Sequence, residues 1–280
     1  MRLLFSILKR VLKKDDTTLK EVIEPMSKSE DHSLISEKTA IAYGATHPGL
    51  KRQNNEDAFK ILFDKMFIVA DGMGGHQAGE VASQSAVQII SEYFTEESIS
   101  NLKGNPSEIE KALKEVIEHS HERIKKLSET KPEYQGMGTT IVLAYIEDKT
   151  LYTAHIGDSR VYVINDNVIT QITNDHSVVW ELYMAGKITK EEARLSTLKN
   201  RITQALGYSP DLVIETHRYE LKEGDLVLLC TDGLWDMLSD EEILKAIRED
   251  GSLEEIGKRL IFKANEAGGA DNITIIIIKP

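Results

Sequence analysis

The chain has little cysteine, little excess positive charge and no long apolar run, and each shortage excludes a class of protein. Its 280 residues include one cysteine, Cys230, so no disulfide framework can form within the chain and a reducing, cytoplasmic setting is expected. The formal net charge of −12 argues against a nucleic-acid-binding protein, because that function needs a basic surface. No apolar stretch reaches the roughly 18 residues that a membrane-spanning helix requires. The remaining composition, 41% hydrophobic and 29% charged, predicts a soluble globular protein, which we expect to be a monomer.

The N-terminus differs from the rest of the chain in charge. Residues 1–14 combine apolar side chains with five lysines or arginines and contain no acidic residue. This pattern indicates a basic amphipathic helix on the anionic inner membrane surface or in a partner's groove, with a frayed tail or a helix packed on the domain as the alternative. Residues 15–38 are polar without a sustained period and predict a flexible linker. A single domain is then expected from 39 to 280.

The patterns within that domain predict an α+β fold. Short apolar runs separated by brief turn signals predict antiparallel strand pairs, and Ser-x-x-Glu capping boxes at Ser107, Ser239 and Ser252 predict helix starts. The order is strands, two helices, strands, two helices and a last strand. This order predicts a β-sandwich of two antiparallel sheets flanked by pairs of helices, a four-layer α-β-β-α arrangement. A polar, partly helical insert at about 176–209 is a candidate mobile flap.

Carboxylates recur at the ends of the predicted strands. Two apolar runs stop at an Asp-Gly pair, and other acidic residues stand at a strand turn or just before a strand. Since the end of one antiparallel strand lies beside the start of its neighbour, these carboxylates can share one rim of the sandwich. Clustered without cations, they would repel one another by an amount on the order of several kcal/mol. The residues concerned are Glu56, Asp57, Asp71, Asp158, Asp232 and Asp271.

An oxygen-only ligand set favours Mg²⁺ or Mn²⁺ over Zn²⁺ or copper. Two such ions about 4 Å apart can activate a bridging water for in-line attack, which is the chemistry of phosphoester hydrolysis. Arg52 could hold phosphate oxygens with its two-pronged guanidinium. Taken singly, each Asp-Gly pair is better explained as an ordinary turn, and spacing alone does not prove that the pairs converge.

Six motifs in this chain, in this order, resemble the motif set of the type 2C metal-dependent Ser/Thr protein phosphatases, and the bacterial stand-alone members most closely. The resemblance covers about residues 39–280 and implies a β-sandwich with a binuclear Mn/Mg centre at one end. It also implies hydrolysis of phosphoserine and phosphothreonine in proteins that a Ser/Thr kinase has phosphorylated. The motifs are Arg52-x-x-Asn55-Glu56-Asp57, Asp71-Gly72-Met73-Gly74-Gly75-His76, Gly136-Met137-Gly138-Thr139-Thr140, Gly157-Asp158-Ser159-Arg160, Thr231-Asp232-Gly233-Leu234 and Asp271-Asn272-Ile273-Thr274.

The resemblance also implies roles for the metal ligands. Asp71 bridges both ions, and the carbonyl of Gly72 binds one of them. Glu56 helps to hold the second ion, while Asp232 and Asp271 hold the first.

Further roles follow from the same resemblance. Asp57 orients a metal-bound water, Arg52 binds the substrate phosphate, and Asp158 joins Asp232 in a weaker third metal site. Many eukaryotic members carry a proposed general-acid histidine directly after Asp-Gly, where this chain has Met73. The displaced His76 is the remaining candidate acid, with a structural role as its alternative.

Two alternatives to a protein phosphatase remain at this stage. One is a pseudophosphatase that binds phosphoproteins without turnover, although the retained carboxylates argue against it. The other is a hydrolase of small phosphoesters. His155 and His176 are expected to be hydrogen-bonded structural histidines rather than metal ligands.

Overall fold

The fold consists of two antiparallel sheets that pack face to face. The computed structural model describes residues 41–74 and 78–280, together with the backbone of Ile35–Lys38. Within these residues, one sheet has the strand order β1 (Ile35–Lys38), β2 (Ala42–His47), β12 (Ile273–Ile278), β11 (Leu226–Cys230), β8 (Arg160–Asn165) and β9 (Val168–Gln171). The other has the order β10 (Glu215–Glu220), β7 (Thr150–Ile156), β6 (Ile141–Glu147), β4 (Met66–Met73) and β3 (Asp57–Leu62), with the short β5 (Gly138–Thr139) paired to the end of β4.

Helices cover the outer face of each sheet. The second sheet packs on α1 (Ala78–Tyr93), α2 (Glu96–Leu102) and α3 (Pro106–Ser128). The first sheet packs on the short α6 (Asp232–Trp235), on α7 (Asp240–Arg248) and on α8 (Leu253–Glu266). A third apolar layer between the sheets contains Phe67, Val142, Leu229 and Ile276, all completely buried. The predicted α-β-β-α sandwich is therefore confirmed, with each central strand buried on both faces.

The predicted linker boundary is wrong at its C-terminal end. Ile35–Lys38 pairs with β2 in antiparallel register, with Ile35 opposite Thr46, so the sheet starts before residue 39. Pairing with the edge of β2 satisfies the backbone hydrogen bonds of a segment whose polar side chains gave no strand signal. The predicted amphipathic segment 1–14 and residues 15–34 of the predicted linker lie outside the described part of the chain.

Capping chemistry explains where the helices start. The capping boxes at Ser239 and Ser252 are confirmed at the start of α7 and α8. The box at Ser107 is wrong, because α3 starts one residue earlier, at Pro106. Proline suits the first helical turn, since its backbone angle is already helical and it has no N–H to leave unpaired. The sequence analysis also missed α2, whose capping box pairs Thr95 with Ser98.

The insert at 176–209 contains two short helices, α4 (Val178–Met184) and α5 (Lys190–Leu195). Its ends are tied together, because Thr203 N–H donates to the His176 carbonyl at 2.7 Å and Val178 N–H donates to the Arg201 carbonyl at 3.0 Å. The partly helical character is confirmed, and the mobility of this flap stays a prediction. None of the helices in the described residues has the length and apolarity needed to cross a membrane.

Candidate metal centre

An open cleft of about 370 Å³ lies at one end of the sandwich, where strand ends and loops of both sheets meet. The structure brings most of the predicted site residues into its wall, although they come from distant parts of the chain. Asn200 and Ile202 of the flap line it as well. The predicted residues that line the cleft are Arg52, Glu56, Asp71, Gly72, Asp158, Asp232 and Asp271.

Asp71 is held at the rim by its backbone. It lies in β4 directly opposite Asp57 of β3. Its N–H donates to Thr140 Oγ1 at 3.0 Å, and its carbonyl accepts the Thr139 hydroxyl at 2.8 Å. Thr139 and Thr140 therefore fix the backbone from which the Asp71 carboxylate projects.

Two glycines let Glu56 approach this strand. A Cβ on Gly72 would lie 2.2 Å from the Gly79 carbonyl oxygen and 2.5 Å from that of Glu56. A Cβ on Gly79 would lie 2.2 Å from Glu56 Oε2. No side chain fits at either position without moving Glu56 or the start of α1. Gly72 was identified from the Asp-Gly pattern, whereas the requirement at Gly79 depends on a contact that is not local in sequence.

Asn272 organises the loop before β3, a role that the sequence analysis did not assign. Its Oδ1 accepts the Glu56 N–H at 2.8 Å. Its Nδ2 donates to the carbonyls of Pro48 and Asn54, both at 2.9 Å. The place of Asn272 directly after Asp271 in the last motif was the sequence signal that could have indicated this role. One buried side chain thus sets the position of both Glu56 and the loop that carries Arg52.

Asp57 lies behind the cleft wall rather than on it. Its Oδ2 accepts the hydroxyls of Thr231 at 2.9 Å and Thr274 at 2.6 Å. Because β3 belongs to one sheet while Thr231 and Thr274 flank or belong to strands of the other, Asp57 joins the two sheets. Its Oδ1 is buried and has no hydrogen-bond partner among the described residues. That oxygen is the one available for the predicted water-orienting role.

The turn that carries Asp158 is fixed from two sides. Trp235 Nε1 donates to the Asp158 carbonyl at 3.1 Å, and the hydroxyls of Thr140 and Ser159 lie 2.7 Å apart. Asp158 itself is only 3% exposed, although its side chain reaches the cleft. The turn therefore presents a buried carboxylate at a defined place beside Asp232.

The buried carboxylates raise one another's pKa. Burial, followed by the charge of Asp57, raises the pKa of Asp71 well above its usual value, and burial with the charge of Asp232 does the same for Asp158. Burial, followed by the charge of Asp271, raises the pKa of Asp232 to about 7.

Burial also raises the pKa values of two neighbouring acids, Asp57 and Glu56. Burial raises the pKa of Asp57 to about 8, even though its two threonine partners lower it, and burial raises the pKa of Glu56 to about 6. Several acids therefore compete for protons or cations within one small volume.

The donor set fits hard divalent cations. The side chains in the wall that can bind a cation offer oxygen or amide groups, and no histidine or cysteine lines the cleft among the residues that the structure describes. Asp232 Oδ1, like Asp57 Oδ1, is buried without a hydrogen-bond partner there. Such orphaned oxygens are costly unless a cation or water satisfies them. Glu56, Asp71, Asp232 and Asp271 could therefore hold Mg²⁺ or Mn²⁺.

Arg52 stands at the mouth of the cleft with its side chain 57% exposed. Its Nη2 donates to Asp271 Oδ2 at 2.6 Å, and this hydrogen bond is the main cause of its raised pKa. A guanidinium at this place can reach an incoming phosphate. The other predicted catalytic residue, His76, lies outside the described residues, so its role stays a prediction.

Comparisons with known proteins agree with this arrangement. The family model described as "Protein phosphatase 2C" matches residues 44–266. The chain is 37% identical over 238 residues to the Serine/threonine phosphatase stp of Listeria monocytogenes, covering 84% of this chain and 93% of that protein. It is 38% identical over 238 residues to Protein phosphatase PhpP of Streptococcus pneumoniae, covering 83% and 94%.

A solved structure of a phosphatase shares the fold of this chain. The catalytic domain of the serine/threonine protein phosphatase PstP, in complex with two manganese ions, superposes with a TM-score of 0.73 at 34% identity, covering 88% of this chain and 98% of that one. Family model, relatives and structure each span most of the chain. The chain belongs to the protein phosphatase 2C family.

Proposed function

We propose that this protein hydrolyses phosphoserine and phosphothreonine in proteins at a centre of two Mn²⁺ or Mg²⁺ ions in the cleft. The observation that carries the proposal is the group of buried carboxylates around one open cleft, with Arg52 at its mouth. The names of the relatives support a serine/threonine phosphatase, and the manganese-containing PstP structure supports the metal.

Bound divalent cations would supply the chemistry, because they lower the pKa of water and offset the negative charge of the phosphoryl oxygens. The chain's own residues position the reactants. Arg52, whose side chain is 57% exposed at the mouth of the cleft, holds the phosphate oxygens with its guanidinium. Asp57 Oδ1 orients the attacking water from behind Asp71.

The ligand roles are distributed over both sheets. Asp71 would contact both tightly held ions, and the Gly72 carbonyl would contact one of them. Glu56 would help to hold the second ion, and Asp232 and Asp271 would hold the first. Asp158 lies beside Asp232 in the wall of the cleft and would serve a weaker third ion.

The composition and the N-terminal segment support a cellular location and a class of substrate. The single buried cysteine and the acidic composition support a cytoplasmic monomer that acts in signalling on the substrates of a Ser/Thr kinase. The basic segment 1–14 would hold a fraction of the protein at the inner membrane surface or in a partner's groove.

Turnover of a phosphothreonine peptide with and without Mn²⁺ tests the proposal. We expect hydrolysis only when metal is present, and faster hydrolysis of the peptide than of a small phosphate ester. No turnover by folded, metal-loaded protein would identify a phosphoprotein-binding module. Faster turnover of the small ester would instead identify a small-phosphoester hydrolase.

A further inference from the structure

A second group of metal-binding side chains lies away from the cleft, on the edge strand β10 and its neighbour β7. In the antiparallel register, Glu215 is opposite His155 and His217 is opposite Thr153. Because side chains two residues apart on a strand share a face, these four lie on the same face of the sheet. The face is the one that carries Leu151 and Val142 into the layer between the sheets. Two imidazoles, a carboxylate and a hydroxyl therefore meet at one edge of the sandwich.

Several polar atoms of this group are left without partners. His155 Nδ1, Thr153 Oγ1 and His217 Nε2 are buried and have no hydrogen-bond partner among the described residues. His155 is 0% exposed. Each unsatisfied buried polar atom costs about 1–3 kcal/mol, so three in one place call for an explanation. One ligand atom each from His155, Glu215 and His217 lies within 4.8 Å of the others.

The hydrogen bond of His155 fixes which ring nitrogen keeps a free lone pair. Its Nε2 lies 2.7 Å from the Asn174 carbonyl oxygen, which can only accept, so Nε2 carries the proton. Burial lowers the pKa of His155 to about 4, which keeps the ring neutral. Nδ1 therefore keeps a lone pair that no hydrogen bond among the described residues uses. A histidine that donates its other N–H to a backbone carbonyl has the arrangement that metal-binding histidines usually show.

His176 supports this group without belonging to its ligands. Its ring stacks on that of His155 with 4.8 Å between centroids. Its Nδ1 accepts the Gly157 N–H at 3.2 Å, so in the neutral ring the proton is on Nε2, which lies 3.7 Å from Glu215 Oε1. The sequence-based expectation that His155 and His176 form hydrogen bonds is thus met, but His155 retains a free nitrogen.

Glu215 is ionised in this setting. Burial alone would raise its pKa, but the Asn174 amide, which donates to Oε2 at 3.1 Å, and the nearby histidines bring it below its usual value. His217 Nε2 lies 3.4 Å from the same Oε2. The group therefore combines one negative charge with two imidazole nitrogens.

We propose that His155 Nδ1, Glu215 and His217 Nε2 form a second metal site, which binds Zn²⁺ or a similar borderline transition ion. Two imidazoles and a carboxylate are a ligand set that Zn²⁺ takes with a water in the fourth position, whereas the oxygen-only cleft suits Mn²⁺ or Mg²⁺. Zn²⁺ bonds of about 2.0–2.1 Å require the three atoms to move closer together. Glu215 and His217 can make that movement, because their side chains are 33% and 27% exposed.

The site would add metal–ligand bonds to the backbone pairing of β10 with β7. Through the hydrogen bonds of Asn174, it would also hold the segment just before the flap. The proposed role is structural, and it does not depend on the proposed phosphatase function.

The zinc content of the full-length protein tests this proposal. Wild type, Glu215→Gln and His217→Gln are dialysed to equilibrium against the same Zn²⁺ solution, and bound zinc is counted per chain. His119→Gln is the matched control, because it removes an imidazole from α3, which packs on the opposite face of the sheet. Zinc held in the cleft contributes equally to all four proteins, so differences report the edge site alone.

We expect each site variant to hold one zinc ion fewer per chain than wild type, and the control to match wild type. X-ray absorption at the zinc edge should show an imidazole contribution that the variants lose, and Zn²⁺ should raise the melting temperature of wild type more than that of the variants. Glu215→Gln is nearly isosteric and partly exposed, so it decides the matter if His217→Gln fails to fold. Equal zinc content in wild type and Glu215→Gln, or zinc without an imidazole contribution, would overturn the proposal.

Discussion

Asn272 Oδ1 accepts the backbone N–H of Glu56 at 2.8 Å, which couples the start of the last strand to the loop before β3. The neighbouring Asp271 reaches into the cleft from the same turn. Adjacent residues therefore divide two tasks, since the aspartate lines the cleft and the asparagine positions another acid that lines it. Substitution of the asparagine should consequently affect both stability and metal binding.

We expect Asn272→Ala to lower the free energy of unfolding by roughly 2–4 kcal/mol, because three hydrogen bonds of a buried side chain are lost, one of them fully buried and two partly buried. More Mn²⁺ should also be needed for half-maximal turnover. Denaturant unfolding and a Mn²⁺ titration measure the two effects. Asn101→Ala, at an exposed position on α2, is the control and should change neither. Wild-type behaviour of Asn272→Ala in both measurements would refute this role.

Asp232→Asn should reduce peptide turnover about 100-fold or more, because one carboxylate serves two proposed metal sites and even indirect partners of metal ligands affect metal affinity or activity by 10–100-fold. The rate is measured in saturating Mn²⁺, with circular dichroism as the check on folding. Asp250→Asn, at an exposed position, is the matched control. A near-normal rate of Asp232→Asn would show that Asp232 is not a ligand.

Asp158→Ala should weaken only the third metal site. The carboxylate neighbours Asp232, but neither of the two tight ions is assigned to it. Titration calorimetry with Mn²⁺ should therefore retain the two tight binding events and lose the weak one. Loss of the tight events as well would place Asp158 in the binuclear centre itself.

The metal-free protein should lose stability as the pH rises from about 6.5 to about 8.5. Burial raises the pKa of Asp232 to about 7 and of Asp57 to about 8, so the folded state binds protons that the unfolded state, with carboxyl pKa values near 4, has already released. Stability therefore decreases as pH passes through the folded-state values. The buried histidines, whose pKa values are lowered, titrate below this range.

Chemical denaturation in the presence of a chelator measures this slope. Asp57→Asn should make it shallower, because a group with a pKa of about 8 in the folded state is removed. A stability that stays constant or increases over the same range would contradict the prediction.

Deletion of residues 1–14 should reduce binding to anionic vesicles and leave peptide turnover unchanged. The five basic residues of this segment would account for the attraction, which should weaken with added salt. Co-sedimentation with anionic vesicles measures binding, and neutral vesicles are the control. Equal sedimentation of the full-length and shortened proteins would eliminate a membrane role for the segment.

Local sequence signals predicted the two sheets and the carboxylates of the cleft, because both depend on short patterns. An apolar run that ends in Asp-Gly is recognisable in isolation, as at Asp71 and Asp232. The role of Asn272, the need for glycine at Gly79 and the pairing of Ile35–Lys38 depend on contacts between distant segments. The histidine group at β10 is of the same kind, since only the register of β7 and β10 places Glu215 opposite His155.

The link that Asp57 makes between the sheets also bears on how the enzyme gains activity during folding. Its hydroxyl partners, Thr231 and Thr274, come from the other half of the sandwich. A chain that has formed both sheets but has not docked them would show native-like secondary structure while its cleft is still incomplete. Recovery of catalysis during refolding therefore measures the docking of the two sheets. We expect it to lag behind the recovery of the circular dichroism signal.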